Sequence, residues 1–418
     1  MSETRPVCAV VDAWSTGRFL YPGFTAAGWD VIHVRSRPEP PDGLKASFVD
    51  HPYLAVVRHE GDVAATAERV AAHRPRQLLA GSESGVLLAD ALGEALGLPG
   101  NGARSSPARR DKHRMAQALR AAGVPAVEDQ IADRVEDAVA WAVTRDRWPV
   151  VVKPPDSSGT DNVVVCQDAV AVREAAELVL SSRNFADAPN QRVLVQGYLG
   201  GDEYIVNTVS WGGAHYFTDI WRCAKQRRGS AQIYDLEELL PFDGPEQAEI
   251  VPYVTSVLDA LGVRFGPAHT ELIHTDRGPI LLEVGARLHG SFDPAPVAAC
   301  VDHDHVAATL LAYTRPDEFQ PLCGRPYRLR KRALCVMLVA PESGRLDGMP
   351  GDAAVRGLSS YFSTLMMVKV GGRIQSTVDL WTCPGMVYLV HPDRDVLEQD
   401  YRTIREMERG SLFAIAKA

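Results

Sequence analysis

The sequence is short of the features that would place it in several large classes. Its seven cysteines are scattered over 418 residues without a C-x-x-C pair. That excludes a disulfide framework or a zinc knuckle and fits a reducing cytoplasm. Positive charge is in deficit: 44 Lys and Arg stand against 53 Asp and Glu, a formal net charge of −9. No dense basic stripe offsets it, so a nucleic-acid partner is not expected. The run Lys225-Gln226-Arg227-Arg228 is long enough only for a local anion contact or a solvated loop. No apolar stretch approaches a membrane span, and Met1 to Arg5 lacks the basic-then-apolar pattern of a secretion signal. Internal repeats and low-complexity tracts are missing, as are a G-x-G-x-x-G after the first strand and a G-x-x-x-x-G-K-[ST] loop. What is left, at 46% hydrophobic and 23% charged, is the composition of a soluble cytoplasmic enzyme.

The length exceeds one ordinary core, and about two to four domains are expected. Apolar runs at 7–11, 31–34, 53–57 and 77–81, with a helix of Ala, Glu and Arg over 64–72, predict a parallel α/β sheet. Ser15-Thr16-Gly17 behind the first strand is a strand-to-helix turn, with a ligand contact as the alternative. A helix is expected over 107–123, stopped by Gly123, with Pro125 just beyond. Strands follow to Lys153 and at 163–166, 193–196 and 204–210, with a helix over 169–181. From about 318, short strands at 333–339, 365–370 and 386–390 and a helix over 396–408 predict a separate α+β unit.

Three places carry chemistry. Lys153 ends an apolar strand and precedes a loop containing Ser157, Ser158 and Gly159. An ammonium beside backbone N–H groups suits phosphate oxygens, although a plain strand end with a Ser-Gly loop has the same composition. The strand ending at Gln196 breaks at Gly197-Tyr198-Leu199, which frees backbone groups to read an adenine edge, and Glu203 suits ribose hydroxyls. An ordinary connection is the alternative. Finally, strands containing Glu271 and Glu283 face each other across a turn at 274–279. Strand periodicity sets both carboxylates on one face, where like charges opposite each other require something positive between them. A hard divalent cation such as Mg²⁺ meets that need; a solvated surface hairpin is the alternative. Cys300, His303 and His305 have metal-like spacing, but with Asp302 and Asp304 beside them a solvated helix end is expected.

Taken in order, Lys112, Lys153 and its loop, the segment 196–203, the paired glutamates and Arg287 resemble the ATP-grasp superfamily over about 105–312. The resemblance implies an N-terminal parallel α/β domain over 1–104 and an ATP-grasp domain of two α+β subdomains over 105–317. The nucleotide-binding subdomain falls at about 137–204, and a C-terminal β-rich α+β domain covers 318–418. It implies ATP phosphates on Lys112 and Lys153 beneath the mobile loop Ser157-Ser158-Gly159, and adenine against Gln196, Tyr198 and Leu199. Ribose falls to Glu203, the γ-phosphate to Lys225, and Mg²⁺, with Mn²⁺ as a substitute, to Glu271 and Glu283. Arg287 stabilises the acyl phosphate and the tetrahedral intermediate, and Glu238, His289, Gly290 and Ser291 line the substrate cavity. Tyr234 and Glu237 lie in the same stretch as Glu238, where related ligases recognise a substrate amino group.

Two departures narrow the resemblance. Many members carry Asn two residues after the second metal glutamate, where this chain has Gly285. Carboxylases of the biotin type continue past the Arg with residues for bicarbonate, whereas this chain has Leu288-His289-Gly290-Ser291-Phe292. The pattern is most similar to the L-amino-acid ligases of natural-product pathways. The expected activity is ATP-dependent amide formation between a carboxylic acid and an amino acid, through an acyl phosphate, with release of ADP and phosphate. A biotin-type carboxylase, a ligase loading a carrier protein and a non-catalytic nucleotide-binding protein are the alternatives, and a homodimer is left open.

Overall fold

The structure is a computed structural model that describes residues 5–156, 162–183, 189–228, 231–290, 292–380 and 382–416. Strands β1 (Val7–Val11), β2 (Asp30–Arg35), β3 (Ala55–Arg58) and β4 (Gln77–Ala80) form a parallel sheet in the order β3-β2-β1-β4. Both faces of β1 are covered, which accounts for its unbroken apolar run. Val7, Ala9 and Val11 share a core with helices α2 (Val63–Ala71) and α3 (Val86–Ala95). Cys8 and Val10 point into the large central core with Leu20 and Phe24 of α1 (Leu20–Ala26).

The helix expected over 107–123 is shorter, because the chain begins with a separate 3₁₀ turn at Ser106–Arg109. The Asp111 side chain accepts from the Arg114 N–H, so the cap starts α4 (Lys112–Ala121) at Lys112. Gly123, at φ +73°, ends it in the left-handed region as expected.

A second sheet, antiparallel in the order β5-β8-β6-β7, contains β5 (Asp129–Ala132), β6 (Val150–Lys153), β7 (Val164–Cys166) and β8 (Val193–Gly197). Val150, Val152, Val193 and Val195 pack on α5 (Val135–Arg145) and α6 (Ala169–Ser181). Strand alternation therefore puts Val151, Lys153, Leu194 and Gln196 together on the other face.

The third sheet has eight strands, ordered β13-β12-β9-β10-β11-β14-β18-β16. Its first five are β9 (Asp202–Trp211), β10 (Ala214–Arg228), β11 (Ala231–Leu239), β12 (Gly266–Thr275) and β13 (Gly278–Gly285). Helix α7 (Pro245–Ala260) backs the β12–β13 hairpin, and Tyr253 accepts from the Leu281 N–H and donates to the Pro125 carbonyl. The C-terminal residues, expected as a separate unit, supply β14 (Arg332–Met337), β16 (Tyr361–Met366) and β18 (Gly385–His391) to this same sheet. Glu237 pairs with Cys335 across β11 and β14. That pairing covers an edge whose N–H and C=O groups would otherwise lie open. A smaller sheet, β17-β15-β19, joins Gly344–Gly348 (β15) to Arg373–Ile374 (β17) and Ala414–Ala416 (β19).

Candidate active site

Register fixes which side chains share one face of the large sheet. Glu271 lies opposite Glu283, as the hairpin pattern predicts, and opposite Ile205 on its other side. Glu203, two residues from Ile205, is therefore on the same face, and it leads across Cys223 to Glu237. Asp219 and Asn207 pair with each other on that face too.

The charge between the paired glutamates is met by amines. Lys112 Nζ stands 2.5 Å from Glu283 Oε2. His269 Nε2 lies 3.0 Å from Glu271 Oε1. Lys153 is buried and faces the same carboxylates; burial and the neighbouring Lys112 hold its pKa down at about 8. The Lys112 N–H donates to the Pro155 carbonyl, which fixes the start of α4 against the end of β6.

Glu203 forms a second cluster. Lys225 Nζ lies 2.5 Å from its Oε2, and the Tyr234 hydroxyl donates to its Oε1 at 3.1 Å. A register shift at Ala224/Lys225 brings Lys225 opposite Tyr234, and the ammonium sits 4.6 Å from the ring centroid. Lys225, expected at the γ-phosphate, is thus held on the carboxylate assigned to ribose. Gln196 is buried, Tyr198 is exposed, and Leu199 follows it in the link from β8 to β9. Gly201 closes that link at φ +147°, where a Cβ would fall 2.1 Å from the His274 carbonyl oxygen.

Arg287 makes the third cluster, with partners that the sequence pattern did not single out. Its Nε donates to Glu83 Oε2 at 2.6 Å, and Arg110 pairs with Glu83 Oε1. Burial alone would raise the Glu83 pKa, but the two guanidinium groups pull it down to about 2. Glu83 follows β4, at the carboxyl end of a parallel strand, where α/β sheets place their ligands; that position is the signal that was available. A Cβ on Gly285 would lie 2.7 Å from Glu83 Oε2 and 3.0 Å from Arg287 Cζ. The absence of Asn at this position has a physical reason: the Glu83–Arg287 pair fills its space.

Behind these clusters runs a neutral imidazole stack. His269 lies 4.3 Å from His289, and His289 lies 4.5 Å from Phe292, each pair stacked. Burial pushes the pKa of all three of His269, His289 and His305 down. Asn207 donates to Asp219 at 2.6 Å and accepts from His269 Nδ1 at 2.9 Å, which turns Nε2 toward Glu271. Trp221 and Thr218 also donate to Asp219. His289 is therefore packed between His269 and Phe292. His269 could have been found from its place two residues before Glu271.

Other expectations are redistributed. Glu238 points to the opposite face, on Arg222 at 2.6 Å, and it is Glu237 that faces the site. Burial first, then the charges of Glu271 and Glu203, push Glu237 up to about 8. His305 is not solvated: it is buried and bonded to the Thr208 carbonyl. Among the described residues no group of three His, Cys, Asp or Glu is placed to hold a metal. Gly290 lies near Ser15, its Cβ position 3.7 Å from that hydroxyl. Ser157, Ser158, Gly159 and Ser291 fall outside the described residues.

Residues 146–293 match the ATP-grasp domain model. Dapdiamide A synthase of Enterobacter agglomerans is 31% identical over 97% of this chain and 96% of its own length. An L-arginine-specific L-amino acid ligase of Bacillus subtilis is 24% identical over half of each chain. The crystal structure of an L-amino acid ligase from Bacillus licheniformis covers both chains fully, with a TM-score of 0.77 at 19% identity, and shows the same fold. No helix among the described residues is long and apolar enough to cross a membrane. The chain belongs to the ATP-grasp family of amide-forming amino-acid ligases, enzymes that use ATP with a divalent metal.

Proposed function

We propose that this chain joins a carboxylic acid to the amine of an amino acid through an acyl phosphate, releasing ADP and phosphate, in a natural-product pathway. The observation that carries the reading is the Glu271–Glu283 register with the Lys112 ammonium seated on Glu283. A pair of carboxylates beside two lysines on one face suits a metal that completes its shell with phosphate oxygens, and it does not suit a protein-only metal cage. Glu271 and Glu283 would hold Mg²⁺, or Mn²⁺ in its place, and the ion supplies charge neutralisation on the phosphates.

The remaining residues divide the work. Lys112 and Lys153 bind phosphate, the loop with Ser157, Ser158 and Gly159 shields it from water, and Gln196, Tyr198 and Leu199 line the adenine. Glu203 takes the ribose, with Lys225 and Tyr234 fixing its carboxylate. The substrate carboxylate attacks the γ-phosphorus, because a carboxylate cannot expel oxide at neutral pH and needs phosphate as its leaving group. Arg287, oriented by Glu83, stabilises the acyl phosphate and the tetrahedral oxyanion formed when the amine attacks. His289, Gly290 and Ser291 border the substrate, and Glu237 replaces Glu238 as the acidic group facing it.

Incubation with ATP, Mg²⁺ and pooled amino acids tests the reading. Amino-acid-dependent release of ADP and phosphate, with an amide detected by mass spectrometry, is expected. AMP and pyrophosphate in their place would overturn the acyl-phosphate route.

A further inference from the structure

The N-terminal sheet holds a cluster that none of these roles uses. Trp14, fully buried beyond the end of β1, meets His33 edge-on at 6.4 Å between centroids. His33, also fully buried, lies 4.8 Å from the Tyr53 ring. Arg35 follows His33 by two residues on β2 and so shares its face. The Ala13 N–H donates to His33 Nε2 at 3.1 Å, which leaves the proton of the neutral ring on Nδ1.

Trp14 Nε1, His33 Nδ1, Arg35 Nε and the Tyr53 hydroxyl are buried with no hydrogen-bond partner. Each is a donor in this arrangement, and a buried donor left unmet is destabilising. A water molecule has too few lone pairs for four donors, whereas a carboxylate offers about four acceptor sites and a negative charge for Arg35. Asp50 answers that guanidinium only at 3.9 Å, from an exposed position. Arg35 and Tyr53 are half-buried as whole residues.

We propose that Trp14, His33, Arg35 and Tyr53 form a subsite for a carboxylate group that is not the one activated by ATP. Its place suits a second carboxylate on a ligation substrate. The loop after Trp14 reaches the reaction centre, where the Phe292 N–H donates to Thr16 Oγ1 at 3.2 Å. Asp12, two residues before Trp14, accepts from Ser84, the neighbour of Glu83, at 2.6 Å. A separate carboxylate ligand has the same chemistry, and kinetics distinguish the two sources. The substrate version rests on the ligase reading above; the binding claim does not.

The test is a titration of the full-length ¹⁵N-labelled protein with sodium acetate against sodium chloride at constant ionic strength. The indole N–H resonance of Trp14, assigned with Trp14→Phe, should move downfield and saturate. Tyr53→Phe keeps the ring and removes one donor, so acetate should bind about tenfold more weakly. Arg35→Lys, at a half-buried position, is the second variant and should weaken it as well. No saturable movement, or equal acetate affinity in both variants and the parent, overturns the subsite. In amino-acid-dependent phosphate release, acetate that raises the apparent KM for the amino acid identifies the substrate's own carboxylate. Acetate that changes kcat at constant KM identifies a separate ligand.

Discussion

Gly285 is where packing and charge make their sharpest joint demand, and Gly285→Ala measures it. The added Cβ would lie 2.7 Å from Glu83 Oε2. The end of a flexible side chain ordinarily swings aside at little cost, but this one is held between Arg110 and Arg287. Expelling it would leave two largely buried guanidinium groups without their counter-charge, a loss of about 3–5 kcal/mol for a buried pair broken from one side. The drop in the Glu83 pKa from 4.5 to about 2 gives a second scale, about 3 kcal/mol. Glu83→Ala alone should therefore destabilise the fold by about 3 kcal/mol, and Gly285→Ala alone by a similar amount. In the Glu83→Ala background the new methyl meets no carboxylate and a freed Arg287, so it should add less than about 1 kcal/mol. Urea unfolding of the four proteins reads the cycle. Additivity within about 0.5 kcal/mol would refute the claim that Glu83 occupies the space over Gly285. The pH dependence has a definite sign: a depressed carboxylate pKa stabilises fully above pH 4.5 and loses its contribution as pH falls toward about 2. Glu83→Gln should flatten that acid limb.

Three further outcomes test the site. Glu283→Ala should abolish ADP release from ATP and Mg²⁺, and full turnover by that variant would sink the metal assignment. Lys153 titrates near 8 because burial and Lys112 disfavour its charge, so kcat/KM for ATP should fall as pH rises through about 8. Lys153→Arg should move that limb above about pH 9, and an unmoved limb assigns it to another group. Glu203→Gln should raise the KM for ATP about tenfold at nearly constant kcat; an equal fall in kcat would remove it from the ribose site.

Local periodicity made much of the fold readable. The strand over Val7–Val11 and the helix over Ala169–Ser181 appear as expected, because burial on both faces and a 3.6-residue pattern are properties of the segment itself. The Glu271–Glu283 pairing was readable for the same reason: a tight turn sets the register of its own hairpin. The helix beginning at 107 was misplaced because Pro107 and the Asp111 cap compete for the same start, and the side-chain cap wins. The C-terminal strands were readable as strands but not as members of the central sheet, since nothing local to Cys335 names Glu237 as its partner.

The same limit explains the acidic residues. Glu237 and Glu238 are neighbours on one strand, and only the register with β10 decides that Glu237 faces inward while Glu238 turns out to Arg222. Once that register is known, Glu203, Asp219, Glu237, Glu271 and Glu283 all crowd one face of one sheet. Each neutralising contact then becomes a requirement. Lys225 answers Glu203, Lys112 answers Glu283, and the Trp221, Thr218 and Asn207 donors satisfy Asp219. Glu237 has no ion pair among the described residues, and burial, then the charges of Glu271 and Glu203, push its pKa up to about 8. A face this acidic repels a triphosphate until cations intervene, so the lysines on it have to answer the whole sheet face as well as the paired glutamates.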